Sequence, residues 1–365
     1  MTRATWFVLG VVVFVAAGAV GLFASRRAAA VSDAVKTPQD HVEVARRALE
    51  AKAFVDAVRA ARSVSPTSAV AAEARVLEGI GLWKLNRWQA AEDAWKAALA
   101  ADPQVPQAAW QLLHFYFIEQ RFAEAEEFAL RIYPIEPDPR DRTLLLLELV
   151  RQDNERLNPE GTARELEPVA VVEPENFHAL RALGTAFVQL RRFTDGAALV
   201  ERAHALKPDD EEGWFTLIWY LYEAGQTDRL RQEFEQPPAA AREQARFERY
   251  RGMWAEAVDD AAEAERAYRA ALARDPADRK AHYQLARLLR GRGAEEEAAK
   301  HEAESRRLDD AREKLATCYQ KAVQLNNDPP AELCREFSRW CRELGRTRQA
   351  KFWDDEASRR PASGR

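Results

Sequence analysis

Residues Phe177 to Pro208, FHALRALGTAFVQLRRFTDGAALVERAHALKP, decide the architecture of this chain. Apolar side chains recur at helical spacing on both sides of Arg191 and Arg192, so the stretch reads as a helix, a tight turn and a second helix. Pro208 closes it, because proline lacks an amide hydrogen and disfavours helical geometry in the residue before it. Counting back from Pro208, Ala203, Gly196, Phe193 and Gly184 stand at fixed offsets. The same offsets from Pro103 give Ala98, Ala91, Trp88 and Gly79, and from Pro276 they give Ala271, Ala264, Ala261 and Gly252. Pro103 and Pro137, like Pro174 and Pro208, are 34 residues apart, and Pro208 to Pro276 is twice that distance. A unit of this length cannot bury its own apolar face, so successive copies must stack.

Two antiparallel helices approach to roughly 8–10 Å only where the crossing carries a small side chain. Gly79, Gly184 and Gly252 supply it on first helices, and Ala91, Ala125 and Ala264 on second helices. Trp88, Phe122 and Phe193, then Trp95 and Tyr268, are expected to fill the space beside it. At these residues the chain resembles the tetratricopeptide repeat family. The resemblance implies an all-α fold, a right-handed α-solenoid of about eight helix-turn-helix repeats. The repeats are expected over residues 40–357, with clear copies at 72–105, 106–139, 177–210 and 245–278.

Elsewhere the pattern loosens. The first hairpin, Asp40 to Pro66, reads as a cap that has lost the small residue at the crossing. Pro137 and Pro174 are 37 residues apart, which predicts an inter-helix turn lengthened by about three residues. Pro237 and Pro238 cut short the helix that follows Gly225. Between Glu295 and Asn326 a charged helix carries Leu308, Leu315, Tyr319, Ala322 and Leu325 along one side, as suits a helix lying on the end of the solenoid. Ala331 to Ala357 reads as a last hairpin, with Gly345 at its turn and Ala350 at its crossing, and 358–365 as a disordered tail.

Ahead of the repeats, Trp6 to Ala24, WFVLGVVVFVAAGAVGLFA, contains no charged residue. It matches the roughly 20 residues that cross a bilayer core and exceeds the 7 to 15 of a usual signal-peptide apolar region. Residues 1–27 are therefore expected to form one transmembrane helix as a membrane anchor (or uncleaved signal), with 28–39 as a linker. A cleaved signal is the alternative, at Ala28-Ala29-Ala30 or Ser32-Asp33-Ala34. The expected location is the bacterial cytoplasmic membrane, single-pass. Arg26, Arg27 and Lys36 taken literally would leave the solenoid in the cytoplasm. A short tail with Arg3 alone is also how an uncleaved export signal looks, and the reading leans to an extracytoplasmic solenoid.

A net charge of −5 over 365 residues gives no basic footprint for nucleic acid. With only 15 glycines and 17 prolines the chain is neither fibrous nor low in complexity. Cys334 and Cys341 lie about 10 Å apart along one predicted helix, too far for a bridge. Whether Cys318 pairs with either, or all three are buried free thiols, stays open.

No phosphate loop, nucleophile elbow or zinc-spaced histidine pair is present. His41, His114, His178, His204, His282 and His301 are scattered, and Asp259-Asp260 and Asp309-Asp310 read as solvated helix faces. No enzymatic activity, cofactor or metal is expected. What remains is surface. In the solenoid that the resemblance implies, first helices line the concave face, and there Trp83, Trp110, His114, Phe117, Arg181, Phe215, Trp219, Tyr222, Tyr283 and Arg287 are expected to form a partner-binding groove. Some of these aromatics are equally able to pack repeat on repeat. Relatives that clamp a C-terminal carboxylate use Lys and Asn where this chain has Val76, Ile80, Trp110 and His114, so that clamp is not expected. The Cys-x-x-Cys knuckle of lipopolysaccharide-regulating members is not matched by Cys334 and Cys341 either. The expected function is a membrane-anchored protein–protein interaction scaffold that binds a peptide or partner protein, with no small-molecule substrate. The alternative is a non-catalytic subunit of an envelope-biogenesis or secretion enzyme complex.

Overall fold

The computed structural model describes residues 37–155 and 158–360, which form nineteen α-helices and one 3-10 turn, with no strand among them. The chain opens with α1 (Pro38–Glu50), α2 (Phe54–Arg62), α3 (Ala71–Lys84), α4 (Trp88–Ala101), α5 (Pro106–Ile118) and α6 (Phe122–Ile132). After the 3-10 turn at Tyr133–Ile135 come α7 (Pro139–Glu155), α8 (Pro159–Val172), α9 (Phe177–Gln189), α10 (Phe193–Leu206), α11 (Glu211–Glu223) and α12 (Thr227–Glu235). The remainder is α13 (Ala239–Glu243), α14 (Ala245–Ala257), α15 (Ala261–Arg274), α16 (Arg279–Gly291), α17 (Glu295–Gln324), α18 (Ala331–Glu343) and α19 (Thr347–Arg359). Pairs such as α3 with α4, α9 with α10 and α14 with α15 pack as hairpins, and each stacks on the next.

One turn is used throughout. In eight hairpins the residue two before the second helix is left-handed: Lys52, Asn86, Gln120, Arg191, Gly225, Asp259, Gly293 and Gly345. The next amide then reaches back over the end of the first helix, as Arg192 N does to Phe187 O at 2.8 Å and Arg87 N to Leu82 O at 2.9 Å. That closure satisfies carbonyls the helix end would otherwise leave without a donor. Across the crossing, a Cβ on Gly79 would stand 2.6 Å from Trp95 Cδ1, and one on Gly252 2.6 Å from Tyr268 Cε1. Ala91, Ala125 and Ala264 opposite are fully buried, so the small-residue register read from the sequence is the packing register.

Several expectations need correction. The first hairpin keeps small residues at its crossing, since Ala45 and Ala57 are fully buried. Its second helix has 9 residues where α4 has 14, and counting back from Pro66 therefore missed them. The extra residues between Pro137 and Pro174 lie at least in part in α7, which runs for 17 residues. The charged helix is not an end piece: α17 runs for 30 residues, its first part pairing with α16 and its last with α18. Leu325 on its predicted stripe is exposed. Pro38 is already helical, because Thr37 and Asp40 form a capping box ahead of it. At the other end α19 continues to Arg359, inside the stretch read as tail. Cys318, Cys334 and Cys341 are all free and buried. The expected anchor, Trp6 to Ala24, lies outside the described residues, and no described helix is long and apolar enough to cross a membrane.

The stack does not run straight through. Instead of packing on α8, α7 packs on α6, α17 and α19, so the C-terminal helices return to the middle of the chain. Meanwhile α9 meets the α5–α6 turn, where Arg181 Nη2 donates to the carbonyls of Glu119 at 2.9 Å and Gln120 at 3.1 Å. The largest apolar cluster accordingly joins Trp88, Phe115 and Leu183 with Cys334, Phe337 and Trp353.

Candidate functional site

Three first helices, α11, α14 and α16, share a hollow of about 380 Å³. Helical spacing places the lining: Trp219, Tyr222 and Glu223 on α11, Arg249, Tyr250 and Met253 on α14, and Lys280, Tyr283 and Gln284 on α16 are three or four residues apart on one face. The opposite face of α16 carries buried Ala281, Leu285 and Leu289, which hold it in the stack.

Charge is fixed around this hollow. Arg249 Nη1 pairs with Asp278 at 2.6 Å, and Asp278 also caps α16 by accepting from Ala281 N at 3.0 Å. Arg279 at the rim pairs with Asp309 at 3.2 Å. Burial raises the ordinary phenol value of Tyr222, helped by Glu256, and that of Tyr250 against the pull of Arg249. Both hydroxyls therefore stay neutral and able to donate.

The ten residues expected in the groove divide among several places. Trp219, Tyr222 and Tyr283 line this hollow, while Arg287 lies in a neighbouring one with Glu256 and Leu288. His114 and Phe117 line a third, of about 250 Å³, with Arg151 and Arg164. There desolvation, then the charges of Arg151 and Lys84, hold the imidazole of His114, which stays exposed at the mouth, below its usual value. Trp83 is half-buried, edge-on to Trp88 and Trp95 at 6.4 Å and to His114 at 5.8 Å, and Trp110 is half-buried on the main core. Arg181 and Phe215 are buried: the guanidinium staples the α5–α6 turn, and the ring lies under Arg246 at 4.0 Å. Arg249, Tyr250 and Met253 escaped the sequence reading. Gly252 fixes the register of α14, and the face a quarter-turn from it would have placed them.

Among the described residues no group of three or more His, Cys, Asp or Glu is placed to hold a metal ion. A family model of the tetratricopeptide repeat matches residues 76–141, 159–211 and 251–313. The chain carries tetratricopeptide repeats. The match leaves out the first hairpin with the start of α3, most of α7, the stretch from α11 to the start of α14, and the chain from the middle of α17 onward. A comparison with curated protein sequences gives no match. Similar solved structures include MamA from Desulfovibrio magneticus RS-1, at 20% identity and a TM-score of 0.37 over 46% of this chain and 96% of that one. Another is Pseudomonas aeruginosa pilF, at 16% identity and 0.32 over 68% and 97%. Human IFIT1 follows at 13% identity and 0.36 over 89% and 73%.

Proposed function

We propose that the chain is a membrane-anchored scaffold that receives an extended segment of a partner protein in the hollow at Trp219, Tyr222, Tyr250, Met253 and Tyr283. One observation carries the reading. Three successive first helices turn aromatic or thioether side chains to the same hollow, and Tyr283 leaves 57% of its surface in solvent. Rings give large contact area at small ordering cost, which is why they anchor interfaces. Trp6 to Ala24 confines the scaffold to the bacterial cytoplasmic membrane and so raises its effective concentration toward membrane partners. The repeats lie on the extracytoplasmic side, and the protein acts by binding, without chemistry of its own.

The test is photocrosslinking from the full-length chain in its native membrane, with a benzoylphenylalanine at Tyr283 or at Val55, which is equally exposed at 57% but on the second helix α2. A discrete adduct from position 283 and none from 55 is expected, and Trp219→Ala should weaken it about tenfold. Identical adducts from both positions, or none from 283, reject the reading. A reporter active on one side of the membrane, fused after Arg365, decides the orientation.

A further inference from the structure

The hollow shared by α11, α14 and α16 has a period and a hydrogen-bonding polarity, and each constrains what can lie in it. The period comes from the stack. Trp219 and Tyr222 on α11, Tyr250 and Met253 on α14, and Tyr283 and Gln284 on α16 face the hollow in turn. Helix α11 packs on α14, and α14 is tied to α16 by the pairs Arg249–Asp278 and Arg287–Glu256. Helices in contact stand roughly 8–10 Å apart, so a segment that crosses all three meets an aromatic or thioether side chain about every 9 Å.

That step discriminates between backbones. In polyproline II three residues make one turn and rise about 9 Å, so every third side chain turns to the same side. A β-strand returns to the same side every two residues, about 6.6 Å, and falls out of register after one contact.

Polarity excludes the strand again, and the α-helix with it. Trp219, Tyr222 and Tyr283 donate no hydrogen bond to protein among the described residues. Gln284, whose side-chain oxygen already accepts from Arg287 Nε at 3.1 Å, keeps its amide hydrogens for a ligand. Nearby acceptors are engaged, Glu223 by Arg191 at 3.4 Å and Asp278 by Arg249 at 2.6 Å. The hollow therefore presents positive hydrogen ends and few open acceptors. An α-helix pairs its carbonyls internally, and a strand needs acceptors for its amides as well as donors for its carbonyls. A proline-rich polyproline II segment has few amide hydrogens and leaves its carbonyls unpaired, so its partial charges complement those of the hollow. Its rings also suit an aromatic lining, and proline fixes φ before binding, which lowers the ordering cost.

We infer that the partner segment is a proline-rich polyproline II stretch of about seven residues, with a proline at every third position, one for each of α11, α14 and α16. The inference rests on the binding reading above.

Fluorescence anisotropy with the full-length chain in detergent tests it. One labelled peptide carries Pro-x-x-Pro-x-x-Pro with alanine and serine between the prolines; a second has the same composition with its three prolines adjacent. The periodic peptide is expected to bind at least about tenfold more tightly than the permuted one. Tyr283→Ala, at an exposed position, should weaken it about tenfold, and Tyr222→Phe, which keeps the ring and removes the hydroxyl, about fivefold. Val55→Ala should leave it unchanged. Equal affinity for the two peptides, or binding that Tyr283→Ala does not weaken, overturns the inference. If neither peptide binds while position 283 still gives its discrete adduct in the native membrane, the hollow takes a partner of another kind and the proline assignment alone falls. If there is neither adduct nor peptide binding, the binding reading falls with it.

Discussion

Between α3 and α4 the indole of Trp95 lies against Gly79 and donates to Val76 O at 3.3 Å; between α7 and α19 the carboxylate of Glu356 lies among Tyr133, Arg142, Thr143 and Arg360. The first contact is a match of shapes between helices adjacent in sequence. The second is a match of charges between helices more than two hundred residues apart. A second polar junction, where Arg181 and His178 of α9 meet Glu119 and Arg121 of the α5–α6 turn, resembles the α7–α19 contact more than the seam. Shape holds each hairpin together, and where distant hairpins meet, a shared apolar cluster is joined by buried charge that penalises any other pairing. Shape is cheap to make local, since one missing side chain admits one large one. Charge is exacting over distance, because a misplaced partner leaves an ion buried and unpaired.

The seam can be broken most severely at Trp95. Trp95→Ala removes a fully buried ring and should cost about 3–5 kcal/mol in denaturant unfolding. Gly79→Ala alone should cost about 1–3 kcal/mol, because its methyl would overlap that ring. Combined, the two should cost less than their sum by at least about 1 kcal/mol, since the methyl then enters the space the indole left. Strict additivity would mean that Gly79 is not there for Trp95.

That pairing explains why most of the fold was legible in the sequence. Gly79 with Trp95, Gly252 with Tyr268 and Ala264, and the turn at Arg191 and Arg192 all lie within one hairpin, and residue size reports each directly. Where a hairpin shortens, the same signal slips, which is how Ala45 and Ala57 were overlooked by counting from Pro66. The hollow was legible in part. Trp219, Tyr222 and Tyr283 follow from helical spacing, but Arg181 and Phe215 do not point where spacing alone would put them. Elements far off in sequence cover both: the α5–α6 turn lies over Arg181, and Arg246 of α14 over Phe215. The α7–α19 contact left no trace at all, because nothing near Glu356 in sequence says that Tyr133 and Arg142 will face it.

The polar junctions are best sharpened by pH. Desolvation, then the charges of Arg121, Arg181, Lys207 and Lys96, holds the His178 imidazole down to about 2. The ring is therefore neutral when folded, and the unfolded chain takes up a proton as pH falls below about 6.5. Its contribution is complete above that value and is lost with acid, at about 1.4 kcal/mol per pH unit. Glu119 runs the other way: burial pushes its carboxyl up to about 8 against the pull of Arg121, so its contribution is complete below about 4.5 and is lost as pH rises toward 8. Between those limits the two slopes oppose each other. Measured as variant minus unmodified protein, His178→Leu should gain about 2 kcal/mol on going from pH 6.5 to 5, and Glu119→Gln should gain about 2 kcal/mol from pH 6.5 to 8. Flat differences in urea unfolding would show that this junction is hydrated and not exacting.

The smallest effect separates the turns from both kinds of contact. Arg191 holds φ +60° where Gly293, in the equivalent turn of α16–α17, holds +78°. A side chain in this region costs roughly 1–2 kcal/mol, whereas glycine adopts it freely but loses more chain entropy on folding. Arg191→Gly should therefore stabilise by about 0.5–1 kcal/mol, and Gly293→Ala, with no atom within 4 Å of the added methyl, should destabilise by about 1 kcal/mol through backbone strain alone. The arginine brings an exposed pairing with Glu223 at 3.4 Å, and pairs of that kind contribute little. If thermal unfolding shows Arg191→Gly to be destabilising, that pairing outweighs the strain, and a charge contact between neighbouring repeats would then matter even where shape was taken to suffice.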